Sequence, residues 1–451
     1  MVQYDYDLFV IGGGSGGIRS ARWASQLGAK VALCEKDRLG GTCVIRGCIP
    51  KKLMVYGASF KKDFEYAKDY GWNLDSINLD WEKFNSVRNK EINRLESIYS
   101  NILKKNNVDY ISGHGSLKDS HTVEVEGKKY SAKYILIAVG GWPSELSIKG
   151  AEHCITSNEI FNLDKQPQSL LLVGAGYISL EFASIFNSLG TNVSIMFRKN
   201  LILSGFDIDI RKRLQNELAL QGIQILSNRT PVSIEKQEQK LILKDDKKQV
   251  WEGDLILTAV GRKANIKGLN LSSAKIQTEQ DQIIVNNKFQ TSCPNIYAVG
   301  DCINQAYQLT PVALHQGMFV SEYLFNKSND KKFSYDNVPS AIFTKPETAV
   351  VGLSEEQAIE KGYKVKVYES SFRPLKLTLT QSKQKTYMKW VVCKKTDTLL
   401  GCHIIDENAG EILQGFAVAV KNKLKKFEID QTIGIHPTCA EELVTMRTTR
   451  D

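Results

Sequence analysis

Short apolar runs separated by glycine turns organise this chain. Asp7-Leu8-Phe9-Val10-Ile11 predicts a strand buried on both faces, because its apolar residues follow one another without alternation. It runs into Gly12-Gly13-Gly14-Ser15-Gly16-Gly17; Ile18 to Leu27 then reads as a helix, and Lys30 to Cys34 as a second strand ending at Glu35. The order returns further on. Ser169 to Val173 leads into Gly174-Ala175-Gly176-Tyr177-Ile178-Ser179, a helix through Leu189 and a strand from Asn192 to Phe197. Two more apolar strands, Tyr134 to Val139 and Leu255 to Val260, end at the turns Gly140-Gly141 and Gly261-Arg262, and Asn295 to Val299 ends at Gly300-Asp301. From about Val338 the pattern changes to strands over Lys364–Tyr368 and Tyr387–Val392 and a helix over Gly410–Lys421. The expected fold is α/β, with two Rossmann-like nucleotide-binding domains followed by a C-terminal α+β domain.

Gly12, Gly14 and Gly17 spell G-x-G-x-x-G, in which glycine permits a tight turn and lets the backbone approach a pyrophosphate at the helix N-terminus. Glu35, at the end of the second strand, suits ribose hydroxyls. In the second copy, Gly174 and Gly176 are kept and Ser179 replaces the third glycine. Glu35 follows Gly12 by 23 residues; the same offset from Gly174 reaches Phe197, with Arg198 and Lys199 next. The ribose-binding acid is replaced by positive charge, so the second site is expected to take NADPH rather than NADH.

Composition narrows the class. Hydrophobic residues make up 42% and charged residues 24% of 451 positions, ordinary values for a globular protein of several domains. No run approaches eighteen apolar residues, so no membrane span is expected. The N-terminal residues lack a signal-peptide pattern, and a cytoplasmic location is expected. The net charge of +9 is interspersed with acids, without a basic block or RNA-binding signature, so nucleic acid is not an expected partner. Neither the nine cysteines nor the six histidines show metal-ligand spacing.

Two cysteines carry the sharpest chemical signal. Cys43 and Cys48 lie in Gly-Gly-Thr-Cys-Val-Ile-Arg-Gly-Cys-Ile-Pro-Lys-Lys, beginning at Gly40, shortly after the first fingerprint. In a straight helix their Cα atoms would stand about 8.6 Å apart, whereas a disulfide needs less than about 7 Å. If they pair, the segment must bend, and such small disulfide rings are labile and tend to be catalytic. Near the C-terminus, Pro437 favours an extended His436, while Thr438 and Glu441 form a T-x-x-E capping box. With Glu442 available to orient its imidazole, His436 is a candidate acid–base group. Cys439 reads as a packing residue.

Taken together, these segments resemble the pyridine nucleotide–disulfide oxidoreductase family along essentially the whole chain, most closely its plant and bacterial members that reduce glutathione disulfide. The resemblance is carried by Gly12–Gly17, Gly40–Lys52, Gly174–Glu181, Ala298–Asp301 with Leu309-Thr310-Pro311, Phe372–Lys376 and His436–Arg447. It implies a homodimer with an FAD domain (1–142), an NADPH domain (143–264), a central domain completing the FAD site (265–335) and a dimerisation domain (336–451). FAD would meet Ser15, Gly16, Glu35, Thr42, Cys43, Lys51, Gly115, Asp301 and Thr310. NADPH would meet Ala175, Ile178, Glu181, Arg198, Gly261, Arg262 and Leu309, with Lys199 assisting and Tyr177 as a lid. Lys51 and Glu181 would form a charge pair near the flavin. Glutathione disulfide would meet Ser15, Arg22 and Tyr99, with His436 and Glu442 supplied by the other subunit.

The chain also departs from the pattern it resembles. Ser204 stands in place of a second phosphate-binding arginine, Trp23 in place of an arginine beside Arg22, and Val139 in place of a threonine. Met318 replaces an arginine that grips a substrate carboxylate in animal members; Arg373 and Lys376 are the expected substitutes, with Arg19 in reserve. Members acting on lipoamide would favour an acid near Phe197 and a serine at position 51. Those acting on trypanothione carry an acid and a tryptophan where Arg19 and Arg22 stand here.

Overall fold

The computed structural model describes residues 3–305, 307–326 and 332–450. The elements that carry the candidate residues are β1 (Tyr6–Ile11), α1 (Ser15–Gln26), β2 (Val31–Glu35), α2 (Gly41–Ile45), α3 (Cys48–Asp69), α4 (Trp81–Lys105), α5 (Tyr177–Leu189), α6 (Ile208–Leu220) and α7 (Thr310–Phe325). The chain divides into two compact units.

One unit comprises Met1–Leu53, Trp81–Ser144 and Gly261–Ser334. In its sheet, Val108–Ser112, β2, β1 and Lys128–Ile137 lie side by side and parallel, and Ile296–Ala298 extends the last of these. Leu8, Val10, Leu33 and Ile135 are shielded from solvent on both faces of the sheet, the burial expected of uninterrupted apolar runs. α1 begins at Ser15, three residues earlier than the apolar pattern suggests, because Gly14 of the fingerprint is already its N-cap. Register places Phe9 opposite both Ala32 and Ile135, so β1 is central and its C-terminal turn opens at the sheet's carboxyl edge.

The other unit comprises Met54–Asp80, Glu145–Val260 and Tyr335–Asp451. Its first sheet is parallel, in the order Gln224–Ser227, Asn192–Phe197, Ser169–Val173, Leu255–Thr258. Its second is a five-stranded antiparallel sheet covered by the helix Ala409–Lys421, with Trp390, Ile404, Leu413 and Val420 in the shared core. Strands expected at Lys364–Tyr368 and Tyr387–Val392 occupy Val365–Phe372 and Thr386–Cys393. The C-terminal part of α3 also belongs to this unit: the Tyr70 hydroxyl donates to the Lys376 carbonyl at 2.8 Å, and Lys376 pairs with Asp63.

Candidate functional site

The first glycine turn is shaped by contact. A Cβ on Gly17 would lie 1.9 Å from the Gly12 carbonyl oxygen, so α1 can begin this close to β1 only with glycine there. Glu35 closes β2 with its carboxylate accepting from Gly13 N at 2.6 Å and Asp37 N at 2.8 Å. Burial outweighs these bonds and raises its carboxyl above the usual value. Glu35, Gly12, Cys34, Lys36, His114 and Gly115 line one cleft, a place of suitable chemistry for an adenosine. Asp301 follows the strand Ile296–Ala298; burial raises its carboxyl, Arg262 partly offsets this, and it accepts no hydrogen bond among the described residues. A desolvated acceptor beside a nucleotide turn fits a cofactor hydroxyl.

The two cysteines sit where two helices begin. α2 ends at Ile45, Arg46 leaves helical geometry at φ −146° and ψ 32°, and α3 starts at Cys48. The bend required for pairing is therefore present. Neither cysteine is disulfide-bonded, and Cys48, Thr310 and Ser15 are neighbours that act on the Cys43 thiol. Cys48, together with burial, raises the Cys43 thiol; Thr310 and Ser15 act in the opposite direction. Cys48 Sγ lies 3.7 Å from Thr310 Oγ1. Ser15 is the first residue of α1 and Thr310 the first of α7. The positive ends of two helix dipoles thus meet at the thiol pair, where they favour a thiolate or another anion.

Those helix ends converge because α1 and α7 cross at minimal separation. A Cβ on Gly317 would stand 2.3 Å from Ser20 Oγ and 2.8 Å from the Gly16 carbonyl. Ser321 Oγ donates to the Ser20 carbonyl at 3.0 Å, and Trp23 Nε1 donates to Glu322 Oε1 at 2.7 Å. Arg19 reaches Met318 with Nη1 3.8 Å from Sδ. Tyr99, on α4, has its phenol raised by burial and by Cys43, with Arg19 and Arg22 opposing, so all four groups share one electrostatic environment.

In the second unit, α5 begins at Tyr177, with Gly176 as N-cap and Ser179 fully buried in the third fingerprint position. Arg198 and Lys199 follow the strand Asn192–Phe197, exposed and without an ion pair among the described residues. Their loop is tied down on one side by Leu203 N donating to the Ala175 carbonyl at 3.0 Å. On the other, Arg211 of α6 donates to the Ile202 and Leu201 carbonyls at 2.7 and 3.2 Å. Tyr177 is 42% exposed and Ile178 is half-buried. Glu181 is buried and accepts from Phe343 N at 2.9 Å. Lys51, on α3, is buried in the first unit. Gly261, Arg262 and Leu309 also lie in the first unit, where Arg262 Nη2 donates to the Gly141 carbonyl at 2.7 Å.

Near the C-terminus, His436 Nδ1 lies 3.0 and 3.1 Å from the two carboxylate oxygens of Glu441, and its side chain is 81% exposed. An oriented imidazole that the chain itself leaves uncovered is suited to act on something outside this subunit.

Comparison with known proteins follows the same architecture. Residues 6–317 match the family model described as pyridine nucleotide-disulphide oxidoreductase, and residues 338–447 match the dimerisation domain of that family. The chain belongs to the pyridine nucleotide-disulphide oxidoreductase family. Among its curated relatives, a glutathione reductase from Nostoc sp. is 43% identical over 461 residues, covering 99% of this chain and 100% of the relative. A chloroplastic/mitochondrial glutathione reductase from Pisum sativum is 44% identical, covering 99% of this chain and 83% of the relative. A glutathione reductase from Burkholderia cepacia is 40% identical, covering all of both chains.

One assignment made for this family member from sequence needs correction, and two others have partners that the sequence does not show. Glu441, not Glu442, orients His436. Thr438 Oγ1 accepts from Glu441 N at 3.2 Å as the capping pattern predicts, but the Glu441 carboxylate goes to the imidazole instead of closing the box. The three-residue turn Cys439–Glu441 points residue 441 back at the ring, and Glu442 already begins the next helix. Lys376 Nζ sits between Asp63 at 2.8 Å and Glu407 at 3.2 Å. Arg373 is likewise engaged, with Nη2 donating to the Thr380 carbonyl.

Proposed function

We propose that this chain is an NADPH-dependent, FAD-containing reductase of glutathione disulfide, acting as a homodimer with its site shared between subunits. The observation that carries the proposal is the thiol pair Cys43 and Cys48 held at the converging N-termini of α1 and α7, beside two arginines. Near-full-length identity of 40–44% to three glutathione reductases supports the choice of substrate.

FAD would lie along the first turn, with Gly12, Gly14, Ser15, Gly16 and Gly17 at its pyrophosphate and Glu35 and Gly115 at its adenosine. Asp301, Thr42, Lys51 and Thr310 would bind its remainder. When bound, it supplies a two-electron relay from NADPH to the cysteines. Gly174, Ala175, Gly176 and Ile178 would receive the dinucleotide, Arg198 and Lys199 its 2′-phosphate, and Tyr177 would cover the nicotinamide. The Lys51–Glu181 pair and the contacts of NADPH with Gly261, Arg262 and Leu309 remain part of the proposal.

In the reduced pair, the Cys43 thiolate attacks one sulfur of glutathione disulfide, breaking its S–S bond and forming a mixed disulfide. His436 of the partner subunit, oriented by Glu441, protonates the departing glutathione thiolate. Cys48 then attacks Cys43 Sγ, releasing the second glutathione and restoring the Cys43–Cys48 disulfide. Two electrons leave the cysteine pair and two thiols are made, so the step balances. A cytoplasmic location belongs to the same proposal.

The test is an initial-rate assay of the purified, flavin-loaded protein with NADPH or NADH against glutathione disulfide, trypanothione disulfide and lipoamide. The expected result is fastest turnover with NADPH and glutathione disulfide. Faster reduction of either other disulfide would overturn the substrate, and a preference for NADH would overturn the cofactor.

A further inference from the structure

Ser15, Arg19 and Arg22 recur on α1 at spacings of four and three, which places them along one face of the helix. Ser15 ends this stripe close enough to Cys43 to act on its thiol, and Tyr99 lies within electrostatic reach of Arg19, Arg22 and Cys43. At 1.5 Å per residue the stripe leads outward from the thiol for about 10 Å.

Its charge is unbalanced. Arg19 and Arg22 repel each other, and neither forms an ion pair among the described residues. The hydrogen-bond acceptor that Arg19 finds is the Met318 thioether, a weak one, at 3.8 Å. Arg22 Nε is buried with no hydrogen-bond partner. Two guanidiniums held beside a reactive thiol, with no carboxylate paired to them among the described residues, leave the counter-anion to a ligand.

We propose that Arg19 is a specificity residue whose guanidinium binds a carboxylate of the disulfide substrate across the α1–α7 groove, at the place where Met318 offers no charge. The inference rests on glutathione disulfide being the substrate. Because Arg19 Nη1 already lies against the side chain of residue 318, a guanidinium reaching from α7 would occupy the same space.

The test uses steady-state kinetics of the flavin-loaded homodimer with glutathione disulfide and with the same disulfide esterified at its carboxylates. Removing one charge-assisted hydrogen bond predicts that Arg19→Ala raises the KM for the free acid about tenfold to a hundredfold, with the KM for NADPH unchanged. Arg19→Lys should recover part of the loss, and Arg19→Ala combined with Met318→Arg most of it. Wild type should favour the free acid over the ester, and Arg19→Ala should flatten that preference. An unchanged KM in Arg19→Ala, or an equal rise for acid and ester, would overturn this inference while leaving the proposed function standing. No turnover of glutathione disulfide by the wild type would overturn both.

Discussion

Lys389→Met should destabilise the second unit by about 3 kcal/mol, the lower end of what stranding a buried charge costs. Lys389 is fully buried, with Nζ 2.9 Å from Asp207, 2.6 Å from Asp209 and 2.8 Å from Glu355. Arg450 also pairs with Asp209 and Glu355, so these two carboxylates keep a cation when Lys389 is lost. Asp207 does not. Its side chain is fully buried and would retain only N–H donors, Asp209 N at 3.0 Å and Glu355 N at 3.2 Å. That partial satisfaction is why the lower end of the range applies. Asp207 also caps α6, whose Arg211 holds the loop behind Arg198 and Lys199, so the KM for NADPH should rise as well.

The pH dependence separates this account from a simple packing loss. Burial alone would raise the Asp207 carboxyl, but His403 and Lys389 bring it below the usual carboxylate value. His403 is itself buried and held below its ordinary value, which leaves Lys389 as the cation facing Asp207 at neutral pH. Asp209 is lowered in the same way, burial being outweighed by Lys389 and Arg450. A carboxyl lowered on folding contributes stability above its unfolded value, near pH 4, and loses that contribution as pH falls through the folded value. Thermal unfolding followed at several pH values should show the variant's midpoint about 6–12 °C below wild type at pH 7. The gap should narrow below about pH 4. A shift of less than a degree at pH 7, or a gap that widens in acid, would refute the reasoning.

Arg198→Ala should reduce the preference for NADPH over NADH by at least about tenfold, as a charge-assisted phosphate contact is lost; an unchanged ratio of kcat/KM would place phosphate recognition elsewhere. Glu441→Ala should lower turnover of glutathione disulfide about a hundredfold or more, given what a positioned acid–base group contributes, while Glu442→Ala should leave it near wild type; the reverse order would restore the assignment made from sequence. Cys43→Ser should abolish disulfide reduction and leave flavin bleaching by NADPH intact, as read by absorbance in a stopped-flow mixing experiment. Gly317→Val should weaken flavin retention on gel filtration, because its side chain cannot fit against Ser20 and Gly16.

Which features were legible in sequence follows from how local their causes are. Leu8–Ile11, Val31–Cys34 and Leu170–Val173 announced parallel strands because burial on both faces removes alternation within a single element. The glycine turns and Glu35 were equally visible, since their geometry is set within one strand–turn–helix–strand unit. The partners of the basic residues were not. Lys376 looks free in sequence, yet Asp63 lies 313 positions away and Glu407 31 positions away. Arg19 meets Met318 across 299 residues. No local pattern encodes contacts of that kind, so the pairing of Arg19 with Met318 is visible only in the fold.

Glu441 illustrates a subtler limit. The capping box gave its carboxylate a local partner, the Thr438 backbone, and thereby left His436 to the next acid along. In the structure two demands compete for that carboxylate, and the imidazole takes it, while Thr438 still caps through its hydroxyl. The outcome is consistent with energetics: an exposed N–H can be satisfied by water, whereas an oriented His–carboxylate contact needs one particular acid. The same competition explains why the thiol pair sits where it does. The N–H groups at the start of α1 and α7 need acceptors, and a short side-chain cap would fill that role in a purely structural helix. Here Gly14 and Leu309 are the N-caps and neither offers a side-chain acceptor. Both helices therefore present uncapped, electropositive ends to Cys43 and Cys48, giving up local stability at a place where an anion must form during disulfide exchange.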